Sequence, residues 1–351
     1  RPPPILSGLV GSEMCIRDRL TTHFFATSLL LVTAINAHGY EYVLNHGMSP
    51  SKYQNTFTKL SKQGFRLTNV SGYSEGKNER YAALWEKHAK GKGAPYIAKH
   101  GMSPAAYQKQ FNKWTKKGFR LIHVDGFSVI GGVKFAAIWE KSLGPQYFTR
   151  HNMTAAQYQN EFDAQLKLGF RLSHVSGYSL NRKPRFAAIW EKKQYPPRQI
   201  QHGMTSQIYQ AQHDKWLAAG YRLTHVTGYE DSGAARYAAI WTKTSGPRQW
   251  NRHGLHKKNF QSAFENAYYS GYVPANFSAF SVSEKARFNV TYEGGGLNNT
   301  DQVALNNLVN SFMTNWQIPG LGIAISNNER LVYARGYGFS DVETATYASP
   351  Y

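Results

Sequence analysis

Paired histidines are the first residues of this 351-residue chain whose type and spacing could do chemistry, since imidazole binds metals and transfers protons. The members of a pair are twenty-three residues apart: His100 with His123, His151 with His174, and His202 with His225. A zinc site needs three or four converging ligands, and neither a cysteine nor a regularly repeated carboxylate accompanies the pairs. The first repeat has Asn69 at the second position, and we assign Phe277 to that position in the fifth. We therefore expect half-buried histidines that bond backbone groups, with no metal and no cofactor.

A second candidate is the segment Ser49-Pro-Ser-Lys52, which matches Ser-x-x-Lys, the nucleophile motif of a large class of serine hydrolases. The equivalent positions of the other repeats hold Ser103, Thr154, Thr205 and His256, each at the start of a predicted helix. Serine or threonine at this place supplies an oxygen to the free backbone N–H groups of the first turn. The pattern therefore indicates a helix cap. A further match, Ser74-Glu-Gly-Lys77, falls in a predicted hairpin loop, so no catalytic residue is assigned.

Aromatic residues define the elements that must position these side chains. A repeated segment, such as RFAAIWEK, contains a Trp or Tyr near its end. These aromatic residues are separated by 54, 51, 51 and 51 residues: Trp85, Trp139, Trp190, Trp241 and Tyr292. Such regular aromatics are more typical of a core than of a sugar-binding or base-binding surface. A single unit of this size cannot cover its own apolar face, so copies stack in an array or close into a ring.

Each unit predicts one helix and two or three antiparallel strands. The helix ends at a glycine of the same period, where a left-handed residue is favoured. In the first long strand, alternation places Phe119, Leu121, His123 and Phe127 on one face. In the second, Phe186, Ala188 and Trp190 lie on one face and Ala187 and Ile189 on the other. The connection between the strands has six residues of free sequence, which is typical of an exposed hairpin loop and makes it the better candidate for a partner surface. The fold class is therefore α+β, with five units over residues 38–295.

The composition favours anionic partners. Lys and Arg number 41 against 21 Asp and Glu, which gives a formal net charge of +20. No run of five basic residues marks a nucleic-acid tail. We expect an extracellular protein or polysaccharide polymer as partner, with no nucleic acid, and a basic soluble surface is the simpler alternative.

The N-terminal residues predict export. Residues 1–19 contain GSEMCIRDR, which resembles a translated sequencing adapter, and they are excluded from the fold. Residues 20–37 carry an apolar run that is too short to span a bilayer and fits a signal peptide. We expect a secreted, extracellular chain without membrane contact after cleavage. Cys15 is the only cysteine, so the mature part has no disulfide. Five Asn-x-Ser/Thr sequons could carry glycans: Asn69, Asn152, Asn276, Asn289 and Asn298.

Residues 296–351 leave the repeat pattern. Thr300 is the predicted cap of a helix with an apolar stripe: Val303, Leu305, Leu308, Val309 and Phe312. A strand (LGIAIS), a tight turn at Asn327-Asn328 and a partner strand over residues 330–341 follow. A helix before an antiparallel hairpin is a generic arrangement.

The residues of this segment are more specific than its elements. FMTNWQIPGLGIAISNNERLVYARGYGFSDVET resembles the opening of the class C beta-lactamase and penicillin-binding-protein-like serine hydrolases, above all at Ile318-Pro319-Gly320 and Arg335-Gly336-Tyr337-Gly338. The repeats resemble the N-terminal region of secreted fungal polyglycine hydrolases and related bacterial tandem-repeat proteins. The resemblance implies a secreted serine hydrolase, of peptidase or esterase type, whose repeats position a polymeric substrate.

The resemblance also implies what the chain lacks. In that family the serine of Ser-x-x-Lys follows shortly after the position of Tyr351, so we expect residues 296–351 to be a truncated domain start. The fragment itself should be inactive, with exposed strand edges and poor solubility. The alternative is a binding module for an anionic glycan or a cell surface. Nucleic-acid binding is a third hypothesis that the signal peptide disfavours.

Overall fold

The computed structural model describes residues 34–35, 40–88, 93–269, 272–294, 299–327, 330–344 and 346–348. The predicted adapter sequence and most of the predicted signal peptide lie outside these residues, as does the sequon at Asn298. A two-residue strand, β1 (Ala34–Ile35), pairs with the first repeat.

Five α+β units follow, as predicted, and each runs strand, helix, strand, strand. The first strands are β2 (Tyr40–Met48), β5 (Tyr96–Met102), β8 (Tyr147–Met153), β11 (Arg198–Met204) and β14 (Arg248–His256). The helices are α1 (Pro50–Lys62), α2 (Pro104–Lys116), α3 (Ala155–Lys167), α4 (Ser206–Ala218) and α5 (Lys257–Tyr269). The second strands are β3 (Arg66–Glu75), β6 (Arg120–Val129), β9 (Arg171–Leu180), β12 (Arg222–Asp231) and β15 (Tyr272–Val282). The third strands are β4 (Asn78–His88), β7 (Gly132–Glu140), β10 (Lys183–Glu191), β13 (Ala234–Thr242) and β16 (Lys285–Gly294).

The third strand is the centre of each antiparallel sheet, between the first and the second. Its two faces are both buried, as the sequence predicted. Phe186, Ala188 and Trp190 pack in the core of their own unit. Ala187 and Ile189 pack in the core of the preceding unit. The third strand therefore joins neighbouring units, and its tryptophans are core residues.

The second strand differs from the prediction. Leu121 packs in the core of its own unit, whereas Phe127 packs in the core of the preceding unit. The expectation that Phe119, Leu121, His123 and Phe127 share a face is therefore wrong. The register shifts between Leu121 and His123, and such a bulge exchanges the faces of the residues on either side of it.

The six-residue connections are also tighter than predicted, because the strands continue into them. Two residues remain in the turn, as at Asn181 and Arg182, whose φ angles are 53° and 61°. Two successive positive φ angles define the turn type that matches the twist of a hairpin.

The second strands of the five units, here called the axial strands, follow one another around a common axis, and β15 returns to β3. At this closing seam, between the fifth and first units, Asn69 Nδ2 donates to the Phe277 oxygen at 3.0 Å. Ser281 Oγ donates to the Ser74 oxygen at 2.8 Å, also across the closing seam. The five units therefore form a closed ring, which decides between the two predicted arrangements.

The C-terminal segment contains α6 (Asn299–Asn315), β17 (Gly320–Asn327), β18 (Arg330–Asp341) and β19 (Thr346–Tyr347). The helix begins at Asn299, so Thr300 lies within the helix and the predicted cap position is wrong. β17 and β18 form the predicted antiparallel hairpin. Among the helices of the described residues, none combines the length and apolar character that crossing a membrane requires.

Candidate functional site

The first histidine of each pair lies at a seam between units. His100 packs edge-on against Tyr53 of the preceding unit, with ring centroids 4.5 Å apart, and against Tyr81 at 5.1 Å. Five histidines, here called the rim histidines, each contact an aromatic ring on the helix of the preceding unit, which is Phe260 for His46 and a tyrosine for the other four: His46, His100, His151, His202 and His253. Burial lowers the pKa of each of them. They are therefore neutral packing residues at neutral pH.

The second histidine of each pair bonds a backbone carbonyl, as predicted, and this carbonyl belongs to the preceding unit. In these three residues, here called the axial histidines, Nε2 donates to a carbonyl oxygen. The bonds run from His123 to Val70 at 2.7 Å, from His174 to Val124 at 2.7 Å and from His225 to Val175 at 2.5 Å. Asn69 makes the equivalent contact at the closing seam. In the fifth unit the equivalent residue is Asn276, which donates to the Thr224 oxygen, and the assignment of Phe277 to this position is wrong. Across the described residues, no three metal-ligating side chains converge on one point.

The Ser-x-x-Lys match is a helix cap. Ser49 Oγ accepts a hydrogen bond of 3.3 Å from the Lys52 backbone N–H, and α1 begins at the next residue. Thr154 closes a full capping box with Gln157 at the start of α3. Ser74 differs from its prediction, because it lies buried in β3 and its Oγ donates to the Ser128 oxygen of the next unit at 2.7 Å.

A buried carboxyl group interrupts a series of hydroxyls on the axial strands. Asp125 occupies the position that holds Ser71, Ser176, Thr227 and Ser278 in the other units. The Gly72 N–H donates to Asp125 Oδ2 at 2.8 Å, and Ser176 Oγ donates to Oδ1 at 3.3 Å. Burial outweighs these bonds and raises the pKa of Asp125 to about 8. The carboxyl group is therefore largely protonated at neutral pH.

The axis of the ring is filled. The cavity between the axial strands has a volume of about 10 Å³, which is room for about one water molecule. At this level the axis has no room for a polymer or a small-molecule substrate, so a binding surface is expected on the outside of the ring.

A wider cleft opens at the closing seam, with a volume of about 540 Å³. Four cationic side chains and two carboxylates line it, which leaves a formal excess of two positive charges: Lys257, Lys258, Lys285 and Arg287 against Glu75 and Glu284. Lys257 Nζ lies 3.0 Å from Glu75 Oε1, so the charges of these two side chains neutralise each other. Lys258 and Lys285 are exposed. This volume is within the range of ligand-binding pockets.

The sequence could not point to this cleft, because it combines three separate segments of two distant units. A partial signal exists at the start of α5, where His256, Lys257 and Lys258 replace the serine- or threonine-led starts of the other helices. No pattern within one unit shows that the turn at Glu75 and Gly76 of the first unit lies opposite.

The sequons differ sharply in accessibility. Asn289 is fully buried, accepts from the Gly254 N–H and donates to Ser278 Oγ. Asn69 and Asn276 bond to each other in the ring. Asn152 is exposed. Of the sequons in the described residues, Asn152 alone could carry a glycan in the folded ring.

A family model described as polyglycine hydrolase-like, structural repeat, matches the chain five times. The matched residues are 39–88, 93–142, 144–193, 196–244 and 246–293, and each range coincides with one strand–helix–strand–strand unit. The chain therefore belongs to this repeat family. A comparison with curated proteins finds no match.

Proposed function

We propose that the five repeats are the accessory, substrate-positioning ring of a secreted serine hydrolase related to class C beta-lactamases. Membership of the polyglycine hydrolase-like repeat family is the observation that carries this proposal. The order of α6, β17 and β18 supports it, because the resemblance of residues 312–344 implies a helix followed by two antiparallel strands.

The ring would contribute rigidity and a surface rather than catalytic groups. Ser49 is committed to capping α1, and Ser74 is committed to a backbone bond between units. A serine hydrolase needs a nucleophile beside a base and backbone N–H groups that stabilise the oxyanion. None of the described residues is proposed for these roles, so the nucleophile belongs to the hydrolase domain.

Sequencing of the transcript beyond the codon for Tyr351 tests the proposal. A Ser-x-x-Lys motif within a few tens of codons is the expected result, and the extended protein should react at that serine with a fluorophosphonate probe. A stop codon directly after Tyr351, or an extension without the motif, would contradict the hydrolase assignment.

A second candidate function is the binding of an anionic polysaccharide, and the cationic cleft at the closing seam favours it. Lys258, Lys285 and Arg287 lie around one cavity, where their charges act together on a carboxylate or sulfate group. Uronate-containing or sulfated chains would fit an open cleft of this kind.

Retention on an immobilised acidic polysaccharide, measured against salt, tests this second candidate. The variant Lys258→Gln/Lys285→Gln should elute at lower salt than the matched variant Lys59→Gln/Lys62→Gln, which removes the same charge from α1. Equal retention of the two variants would mean that net charge alone is acting.

A further inference from the structure

The axial histidines form a continuous row on three consecutive strands. The rings of His123 and His174 have centroids 4.8 Å apart, and those of His174 and His225 are 4.6 Å apart. Each ring belongs to one unit and bonds the backbone of the preceding one. Three of the five seams therefore depend on an imidazole that donates through Nε2–H.

The surroundings of this row contain no compensating anion among the described residues. The neighbouring strands β3 and β15 contribute Asn69 and Asn276, which are uncharged. Asp125 of β6 is bonded to Gly72 and Ser176. On β12, Glu230 is bonded to Arg182 at 3.0 Å. The charges that act on His123 and His174 are those of the other axial histidines when these are protonated.

Burial is the main cause that lowers the pKa of each axial histidine, to about 4 for His123. The proximity of His123 and His225 lowers the pKa of His174 further. At neutral pH all three rings are therefore uncharged, and their Nε2–H groups are donated to carbonyl oxygens.

We propose that the axial histidines make the ring proton-sensitive: in acid, three imidazolium groups repel one another and loosen β6, β9 and β12. The seams that these histidines bond, between the first four units, then separate and expose the imidazoles to solvent, while the units stay joined by their peptide linkers. The unfolded histidine titrates near pH 6.5, above the folded pKa. The stabilisation is therefore complete above about pH 6.5 and is lost as the pH falls towards the folded pKa.

The ring contains its own control for this proposal. Asn69 bonds the same carbonyl position as the axial histidines and cannot be protonated. The variant His123→Asn/His174→Asn/His225→Asn should therefore keep the seams at neutral pH and remove three titrating groups.

Acid titration of the full chain tests the proposal, with small-angle scattering for opening and circular dichroism for secondary structure. The wild-type chain should expand between about pH 6.5 and 4 while its secondary structure is retained. Each axial histidine can change the opening constant by up to about tenfold per pH unit, and its replacement should remove that contribution. The triple variant should therefore open at lower pH, and the exposed-residue control His256→Asn should follow the wild type.

Two results would overturn the proposal. One is a wild-type chain that stays compact to pH 4, and the other is a triple variant with the wild-type profile. If the triple variant fails to fold at pH 7, His225→Asn alone gives the comparison, because a single replacement should still shift the profile to lower pH.

Discussion

The side-chain amide of Asn69 donates to the backbone oxygen of Phe277 at 3.0 Å, although the two residues are 208 positions apart in the chain. His123 makes the same contact to Val70 at the seam between the first and second units. The closing seam is thus built on the plan of the seams between consecutive units, with asparagine in place of histidine. This repetition explains how five copies of one unit can close without a dedicated end piece.

Gly177→Ala is expected to destabilise the ring by about 1–3 kcal/mol, because the new Cβ would overlap the ring of Tyr229 in the next unit. In an isolated strand the same change would instead be favourable. Urea unfolding measures the effect. Ala279 occupies the equivalent position of the fifth unit and is buried against the first unit. Ala279→Gly is therefore the matched comparison, and a Gly177→Ala variant as stable as the wild type would contradict the packing.

His213→Phe should cost about 1 kcal/mol, because the Trp241 indole N–H donates to His213 Nδ1 at 3.2 Å and would lose its acceptor. In the third unit Phe162 takes this position, and the indole nitrogen of Trp190 is buried without a hydrogen-bond partner. Phe162→His should therefore stabilise the ring at neutral pH. Urea unfolding of both variants at pH 7.5 measures the two changes in unfolding free energy. Two changes of the same sign would contradict a stabilising hydrogen bond between the indole N–H and the histidine.

Asp125→Ser should stabilise the chain, and the gain should grow with pH. Burial raises the pKa of Asp125 to about 8, whereas the unfolded carboxyl ionises near pH 4. Because the folded pKa is the higher one, the wild type loses stability as the pH rises from about 4 to about 8, and serine removes this loss. The difference in unfolding free energy between variant and wild type at pH 5, 6, 7 and 8 measures the effect. If this difference in unfolding free energy were independent of pH, Asp125 would be ionised in the folded ring. The exposed residue Asp163 provides the control variant, Asp163→Ser.

Replacement of exposed apolar residues on α6 should raise the solubility of the chain. Leu308, Phe312 and Trp316 are 68%, 46% and 72% exposed, at a spacing that places them on one side of the helix. Exposed apolar patches promote association. Leu308→Lys/Trp316→Lys should therefore reduce light scattering at high protein concentration. Val309 is 3% exposed, so Val309→Lys should instead destabilise the segment.

The sequence predicted the features that depend on local pattern. The period, the helix caps such as Ser49 and the two buried faces around Ala187 follow from spacing and residue type. Ring closure could not be predicted, because it depends on contacts such as that of Ser74 with Ser281, which no pattern within one unit encodes. The bulge between Leu121 and His123 was missed for a related reason: strict alternation carries no sign of an extra residue.

Zero-length carbodiimide cross-linking tests the closed ring most directly. Lys257 Nζ lies 3.0 Å from Glu75 Oε1 across the closing seam, and Lys134 Nζ lies 2.6 Å from Glu79 Oε2 between the first and second units. A closed ring predicts both cross-linked peptides in the monomer fraction, with the first absent in Lys257→Gln. A Lys134–Glu79 cross-link without any Lys257–Glu75 cross-link would show that the five repeats form an open array.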